Sequence, residues 1–332
     1  MHDDIDNATE TFLGYRELLF SVVYNMLGSV ADTEDVLQEV WLAWQTRVRG
    51  AEPIDNVRAY LTRIAVNQAL ARRSALARRR EDYVGQWLPE PLLDNDTTVD
   101  DGATSVLRTE SSSMAMLVVL ESLTPLERAV FVLNEVFAYP HTEIAGMVDR
   151  SPAAVRQIAH RARQHVQARR PHTQVDPRIR RQVTERFVDA AMGGDLEELL
   201  AVLAPDVTLW TDSGGAGVAT SLQPVHGRTA VAEVFVSVAE AGLDGYRVGW
   251  RTVSGDPCAV IFDGDAPLAL VVLDIAPDDT VIGVYSVTNP AKLTRVNETN
   301  PARCAVEPTR WSTGVRRSTR HSSRLRRICR SG

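Results

Sequence analysis

The sequence predicts a multidomain chain in which two all-α domains precede an α+β domain, and three observations predict it. Apolar residues recur at helical spacing through two stretches of the first 170 residues, and a polar stretch without periodicity divides those stretches. After Pro171 the pattern changes to alternating, β-branched runs.

The first helical stretch contains three patterns. Leu18, Leu19, Val22, Val23, Met26 and Leu27 form one, and Val36, Leu37, Val40, Trp41 and Trp44 form the next, with Gly28-Ser29 as the stop between them. A third runs from about Asn56 to Glu81 through Tyr60, Leu61, Ile64, Ala65, Ala69 and Leu76. From Asp94 to Ser113 the chain is rich in Asp, Thr, Ser and Gly and reads as a linker. Helices resume at Met114. Thr124-Pro125-Leu126-Glu127 is a capping box with Pro at the first helical position, and Ser151-Pro152 repeats the cap-plus-Pro device.

Beyond Pro171, helical stretches are expected near 177–192, 195–203 and 230–241. Strands are expected at Val207 to Thr211, Tyr246 to Val253, Ala259 to Phe262, Leu268 to Ile275 and Val281 to Val287, in a mostly antiparallel meander. The tail from Asn297 carries nine Arg against two Glu and lacks a hydrophobic pattern, so disorder is expected there. It reads either as a solubilising tail or as a source of nonspecific attraction to nucleic-acid phosphates.

The 332 residues, 44% hydrophobic and 24% charged, suffice for domains that bury their own cores. The net charge of -7 conceals the basic tail, so an acidic total does not exclude DNA binding by clustered positive charge. Apolar runs are short, and Asp3, Asp4 and Asp6 stand where a secretory leader carries positive charge, so a cytoplasmic protein without a membrane segment is expected. Cys258, Cys304 and Cys329 are odd in number and widely spaced, suggesting neither a disulfide framework nor a zinc site. HExxH, GxSxG and Walker patterns are missing, so zinc, serine-hydrolase and P-loop chemistry have no support.

The most informative local pattern is a short helix at Tyr139 to Ala145, a turn near Asp149-Arg150 and the capped helix from Pro152. The second helix has Val155, Ile158, Ala159 and Ala162 on one side. Arg156, Gln157, His160, Arg161, Arg163 and Gln164 supply donors elsewhere, with no acid from Ser151 to Arg170. This is the layout of a helix-turn-helix whose second helix enters the major groove.

A second basic cluster, Arg63, Arg72, Arg73, Arg78, Arg79 and Arg80, also lacks acids between Asp55 and Glu81. It fits phosphate contacts, with Tyr60, Asn67 and Gln68 as base-directed groups, and equally fits a solvated face. Asp32 to Leu42 begins an acidic amphipathic helix whose outward groups suit a basic partner, or merely cap the helix.

These three segments together resemble the extracytoplasmic-function (ECF) sigma factors, in family order and spacing over roughly residues 12 to 170. Asp32 to Leu42 is similar to the region that docks on the coiled coil of the polymerase β′ subunit. Arg58 to Asn67 is similar to the region that melts and reads the −10 element, and Pro140 to His165 to the region that reads the −35 element.

The resemblance implies roles for Asp32, Asp35, Gln38, Glu39 and Trp41 in core binding or its supporting fold. It assigns Tyr60, Arg63, Asn67 and Arg72 to the −10 element, and Arg156, Gln157, His160 and Arg161 to the −35 element. Trp87-Leu88-Pro89-Glu90-Pro91 matches the WLPEP linker motif of the SigJ-like group, which carries a SnoaL-like extension. Asn289-Pro290-Ala291-Lys292-Leu293 resembles that group's terminal NPDKL motif.

The group's DGGGKV motif is represented only by Asp212-Ser213-Gly214-Gly215-Ala216-Gly217-Val218, which lacks the Lys. Its glycines suit positive φ or close backbone approach, in a mobile loop or a docking surface.

The resemblance therefore implies sigma region 2 over 1–93, a linker over 94–113 and sigma region 4 over 114–170. A cone-shaped NTF2/SnoaL-like regulatory domain over 171–296 and the tail over 297–332 complete the chain. The expected partners are core RNA polymerase, through its β′ and β subunits, and promoter DNA; the free chain is expected to be a monomer. No metal or organic cofactor is required, although the cone is a candidate site for a small ligand of unidentified chemistry.

Two rivals remain open from the sequence. One is a ligand-sensing helix-turn-helix regulator. The other is a cyclase or isomerase fused to a DNA-binding region, with Asp212, His226 or Asp274 as acid or base. The expected function is transcription initiation rather than catalysis.

Overall fold

The computed structural model describes residues 2–50, 54–81, 83–94, 113–169, 175–218, 220–243 and 245–297. Most of the expected linker, the tail beyond Asn297 with Cys304 and Cys329, and the side chains of Arg78, Arg79 and Arg80 lie outside the described set. The chain divides into two compact units, Met1–Asp82 with Val99–His172, and Tyr83–Thr98 with Thr173–Gly332.

The first unit is all-helical. Helices α1 (His2–Leu27), α2 (Val30–Val48) and α3 (Val57–Glu81) form its first half. Gly28, in the left-handed region at φ 69, ends α1, and the Ser29 hydroxyl accepts from the Asp32 amide to start α2. Asn56 does the same for α3 through the Ala59 amide.

The second half comprises α4 (Met114–Glu121), α5 (Pro125–Phe131), a π-helical stretch (Val132–Val136), α6 (His141–Met147) and α7 (Pro152–Arg169). The capping box expected at Thr124 and Glu127 is present, and the Ser151 hydroxyl caps α7 through the Ala154 amide.

Both halves contribute to a single core, which runs from Leu19, Val22 and Met26 through Leu61 and Ala65 to Leu133, Ile144, Val155 and Ile158. The sequence grouping placed these halves in separate domains and kept residues up to 93 with the first. Here they pack together, and residues 83–94 fall in the second unit.

A buried ion network crosses the shared core. Arg128, with no solvent exposure, donates from Nε to Asn25 O at 2.6 Å and pairs with Glu121. Arg73 donates to Met26 O at 2.8 Å and pairs with the other Glu121 oxygen at 3.2 Å. Two arginines thus share one carboxylate and cover terminal carbonyls of α1, where the helix dipole favours positive charge.

The second unit begins with α8 (Pro177–Gly193) and α9 (Leu196–Val202), then strands β1 (Leu203–Asp212) and β2 (Val225–His226). Helix α10 (Arg228–Glu240) is followed by β3 (Tyr246–Val253), β4 (Asp256–Asp263), β5 (Ala266–Ile275), β6 (Val281–Val287) and α11 (Pro290–Leu293). The sheet order is β2-β1-β6-β5-β4-β3.

The expected meander from β3 to β6 is antiparallel, whereas β1 joins β6 in parallel. Strand β2 lies where the sequence pattern leads to no expected element; a two-residue strand has too short a pattern to be legible. One sheet face packs on the helices through Val183, Phe187, Val207, Leu209, Val231, Val271 and Val284, with Phe187 and Phe235 edge to face at 5.1 Å.

Candidate functional site

Three surfaces of the first unit carry the residues that the sequence singled out. On α3, Tyr60, Arg63 and Asn67 fall within about 60° of one another around the helix axis at 100° per residue. Arg63 and Asn67 are exposed, while Tyr60 is half-buried with its ring 6.2 Å from that of Trp44. Arg58 and Thr62 lie on the opposite side. There Arg58 Nε donates to the Tyr139 hydroxyl at 3.2 Å, and the Thr62 hydroxyl meets the same oxygen at 3.1 Å.

Arg72 leaves the Arg63 face altogether. It donates from Nε to Asp32 Oδ1 at 3.0 Å and pairs with Asp35. Burial opposes charge on this guanidinium, but the hydrogen bonds to Asp32 and Asp35 outweigh it and the pKa is raised.

On α2, Asp35, Gln38, Glu39 and Leu42 are all exposed and share one stripe. Trp41 stands off that stripe, half-buried, its ring 5.1 Å from that of Phe12, in a packing role. Asp32 is more sheltered than Asp35, with side-chain exposures of 15% and 54%.

In the helix-turn-helix, Asp149 takes φ 52 at the turn between α6 and α7. Val155, Ile158, Ala159, Ala162 and Val166 are buried, leaving Arg156, Gln157, His160 and Arg161 exposed. Arg161 stays 61% exposed and pairs with Glu127 at the long distance of 3.8 Å, so its charge remains available to a ligand. Arg163 differs. Its hydrogen bond to Glu135, at 2.5 Å, raises its pKa and diverts it from the exposed set.

The second unit gathers the two motifs of its own C-terminal domain and the motif of the linker around one carboxylate. Asp212, at the end of β1, has no solvent exposure. Its Oδ1 accepts from the Tyr83 hydroxyl at 2.6 Å, and its Oδ2 accepts from the Leu88 amide at 2.8 Å and from Lys292 Nζ at 2.6 Å. Lys292 also donates to Leu88 O and sits 4.3 Å from the Trp87 ring centroid. Asn289 donates to the Tyr83 hydroxyl at 2.8 Å and caps α11 through the Ala291 amide, with Pro290 at its first position.

The glycine loop is shaped for this closeness. A Cβ on Gly214 would stand 2.4 Å from Asn289 Nδ2, and one on Gly217 would stand 2.0 Å from Thr288 O. Gly214 and Gly215 also have positive φ. The Lys missing from the loop motif leaves Asp212 with a cation nonetheless, supplied by Lys292 of the terminal motif.

From this clamp the linker runs across the sheet. Leu88 is tied to β1, whereas Leu93 bridges Val253 on β3 and Asp94 accepts from the Gly255 amide at 3.2 Å. The five residue steps from Leu88 to Leu93 span about 17 Å only when fully extended, and their two anchors lie on strands at opposite sides of the sheet. The segment has little slack. Pro89 and Pro91, both buried with Leu88, hold it extended, while Glu90 is half-buried.

Burial raises the Asp94 pKa against hydrogen bonds from the Gly255 and Ser254 amides, and burial also pushes the Cys258 thiol up, as suits an inert thiol.

The strand register separates the three residues considered as an acid/base set. Asp212 pairs with Val287 and Asp274 with Gly283, four residues along β6 and on its two opposite sides, so about 16 Å apart. His226 pairs with Thr208, itself opposite Gly283, which leaves three strand spacings, about 14 Å, to Asp274. The His226 ring meets the Thr208 hydroxyl at 3.0 Å.

Tyr83, the hydroxyl contacts of Tyr139 and the Arg73–Glu121–Arg128 network escaped the sequence reading, which set Arg73 in a basic cluster suited to phosphates although it is buried. A tyrosine four residues before the linker Trp is the sole local signal for the first of them. Among the described residues no helix is long and apolar enough to cross a membrane, and no three His, Cys, Asp or Glu side chains are grouped to hold a metal.

Comparison with known proteins agrees with this organisation. Residues 11–79 match the model for sigma-70 region 2, residues 113–166 that for sigma-70 region 4, and residues 184–289 that for a SnoaL-like domain. The chain is 35% identical to the ECF RNA polymerase sigma factor SigJ of Mycobacterium tuberculosis, over 85% of this chain and 92% of that protein. It is 32% identical to the probable ECF sigma factor SigI of the same species, over 62% and 69%. The crystal structure of M. tuberculosis SigJ superposes with a TM-score of 0.67 at 32% identity, covering 86% of this chain and 98% of that one.

Proposed function

Because this chain belongs to the ECF RNA polymerase sigma factors, we propose that it binds core polymerase through α2, reads the −10 element with α3 and the −35 element with α7, and is controlled through its clamped linker. The observation that carries this reading is the exposed, acid-free donor set on α7 in the same unit as the exposed acid-and-amide stripe of α2. The first suits base edges and phosphates; the second suits a basic protein surface.

Arg63 and Asn67 on α3 present a donor and an amide to unstacked bases, with Tyr60 beside them as an aromatic platform. Arg156 and Gln157, near the N-terminus of α7, occupy the positions from which a recognition helix reaches base edges. Replacing Arg156 with Ala is expected to weaken promoter binding by about 1–3 kcal/mol and to relax preference at one base. Unchanged promoter affinity of the holoenzyme across a salt series removes Arg156 from base readout.

The shared core of the helical halves gives the SnoaL-like domain something to regulate. A unit of this size is about 40 Å across, while two elements some 25 base pairs apart are separated by roughly 85 Å along the duplex. The packed form cannot touch both, so promoter engagement requires the halves to part. The linker between those halves includes the clamped residues 83–94, and their attachment to the sheet limits how much chain is free to extend. This control, like the promoter binding it governs, takes place in the cytoplasm, with one chain per polymerase.

The test is in-vitro transcription with core RNA polymerase on a pooled promoter library. It compares the full chain with versions ending after Arg170 and after Leu293. Promoter-specific transcripts that differ in yield between the first two establish both initiation and control by the extension. Folded chains that neither bind core nor initiate refute the proposal.

A further inference from the structure

We infer that Arg72 is a positioning residue for polymerase docking, holding Asp32 and Asp35 in place and tying the docking helix α2 to the −10 helix α3 as one rigid body. This deepens the docking role proposed above and rests on it. The family resemblance had placed Arg72 among the promoter contacts.

Two observations move it. Five residues along α3 turn Arg72 about 140° away from Asn67, off the face that carries Tyr60, Arg63 and Asn67. Its guanidinium is also already committed, with Nε and Nη2 at 3.0 and 2.9 Å from Asp32 Oδ1 and Nη2 against Asp35. The planar fork can serve two acids at once, which a lysine ammonium does less well.

The arrangement has a physical purpose. Asp32, Glu34, Asp35 and Glu39 crowd just over two turns of α2 and repel one another. Arg72 from α3 neutralises the first and third, and Arg16 from α1 holds Glu34 at 2.7 Å. Asp35 remains 54% exposed, so it can face a partner while its rotamer is held, alongside exposed Gln38, Glu39 and Leu42. A side chain ordered before binding has less freedom to lose at the interface. The same ion pair transmits the position of docked α2 to α3.

The experiment measures core polymerase affinity, and the salt dependence of promoter binding at saturating sigma factor, for Arg72→Gln, Arg72→Lys, Asp35→Asn and the Arg72→Gln/Asp35→Asn double variant. Arg16→Gln reports on general loosening of α2. We expect Arg72→Gln to weaken core binding roughly tenfold, Arg72→Lys to restore part of it, and the double variant to lose less than the product of the singles. The promoter salt slope should stay unchanged.

Unaltered core affinity overturns the inference, as does an equal loss in Arg16→Gln. A salt slope shallower by about one with core affinity intact also overturns it, because it makes Arg72 a phosphate contact. A wild-type chain that does not bind core overturns the docking assignment itself, and the inference with it.

Discussion

Asp212→Ala is expected to release the linker from the SnoaL-like domain and to destabilise the second unit by about 3–5 kcal/mol, the usual cost of leaving one partner of a buried ion pair alone. The carboxylate meets three donors from two distant segments, Tyr83, Leu88 and Lys292, and is fully buried. Removing it takes the buried carboxylate from Lys292, which is 11% exposed, and leaves the Leu88 amide without this acceptor.

Asp212→Asn, which keeps the size and loses the charge, should fall between wild type and alanine. A combined Asp212→Asn/Lys292→Met variant should recover part of the loss, because the uncompensated charge is gone. Denaturant midpoints measure the stability, and hydrogen exchange at Leu88 measures the release. If Leu88 stays as protected in Asp212→Ala as in wild type, the clamp does not depend on this carboxylate.

The second large effect is expected at Glu121. Glu121→Gln should cost the first unit about 3–5 kcal/mol, since it removes the carboxylate that Arg73 and Arg128 share in the core. It should also favour separation of the helical halves, because Glu121 and Arg128 come from the second half and Arg73 from the first. Distance measurements between labels at exposed Asn67 and Gln164 in the free chain should lengthen, and Arg128→Met in the same chain should restore some stability. A midpoint within error of wild type, with the label distance unchanged, would show that the apolar core alone holds the halves together.

Much of the fold was legible because its causes are local. Caps such as Thr124 with Glu127 and Ser151 with Ala154 act within three residues, and helical or alternating burial is set by neighbours a turn or two away. The helix-turn-helix and its exposed donors were legible for the same reason. Trp41 shows the limit: its place in the pattern was clear, but its packing against Phe12 depends on another helix. Strand β2 had too few residues to display a period, and the parallel pairing of β1 with β6 joins segments that sequence order does not relate.

The succession of helical and α+β regions, the order of the sigma and SnoaL-like motifs and the exposed chemistry of α7 are written in local patterns of residues. Which charges meet depends on the folded chain. It paired Arg72 with Asp32 and Asp35, joined both helical halves through Glu121, and moved the linker motif from the first domain to the sheet of the last. The physical reason is range. Periodicity and capping act within a turn of helix or a few strand residues, but a buried charge must find its partner wherever the folded chain brings one. For Asp212 those partners come from residues 129 positions before it, at Tyr83, and 80 after it, at Lys292.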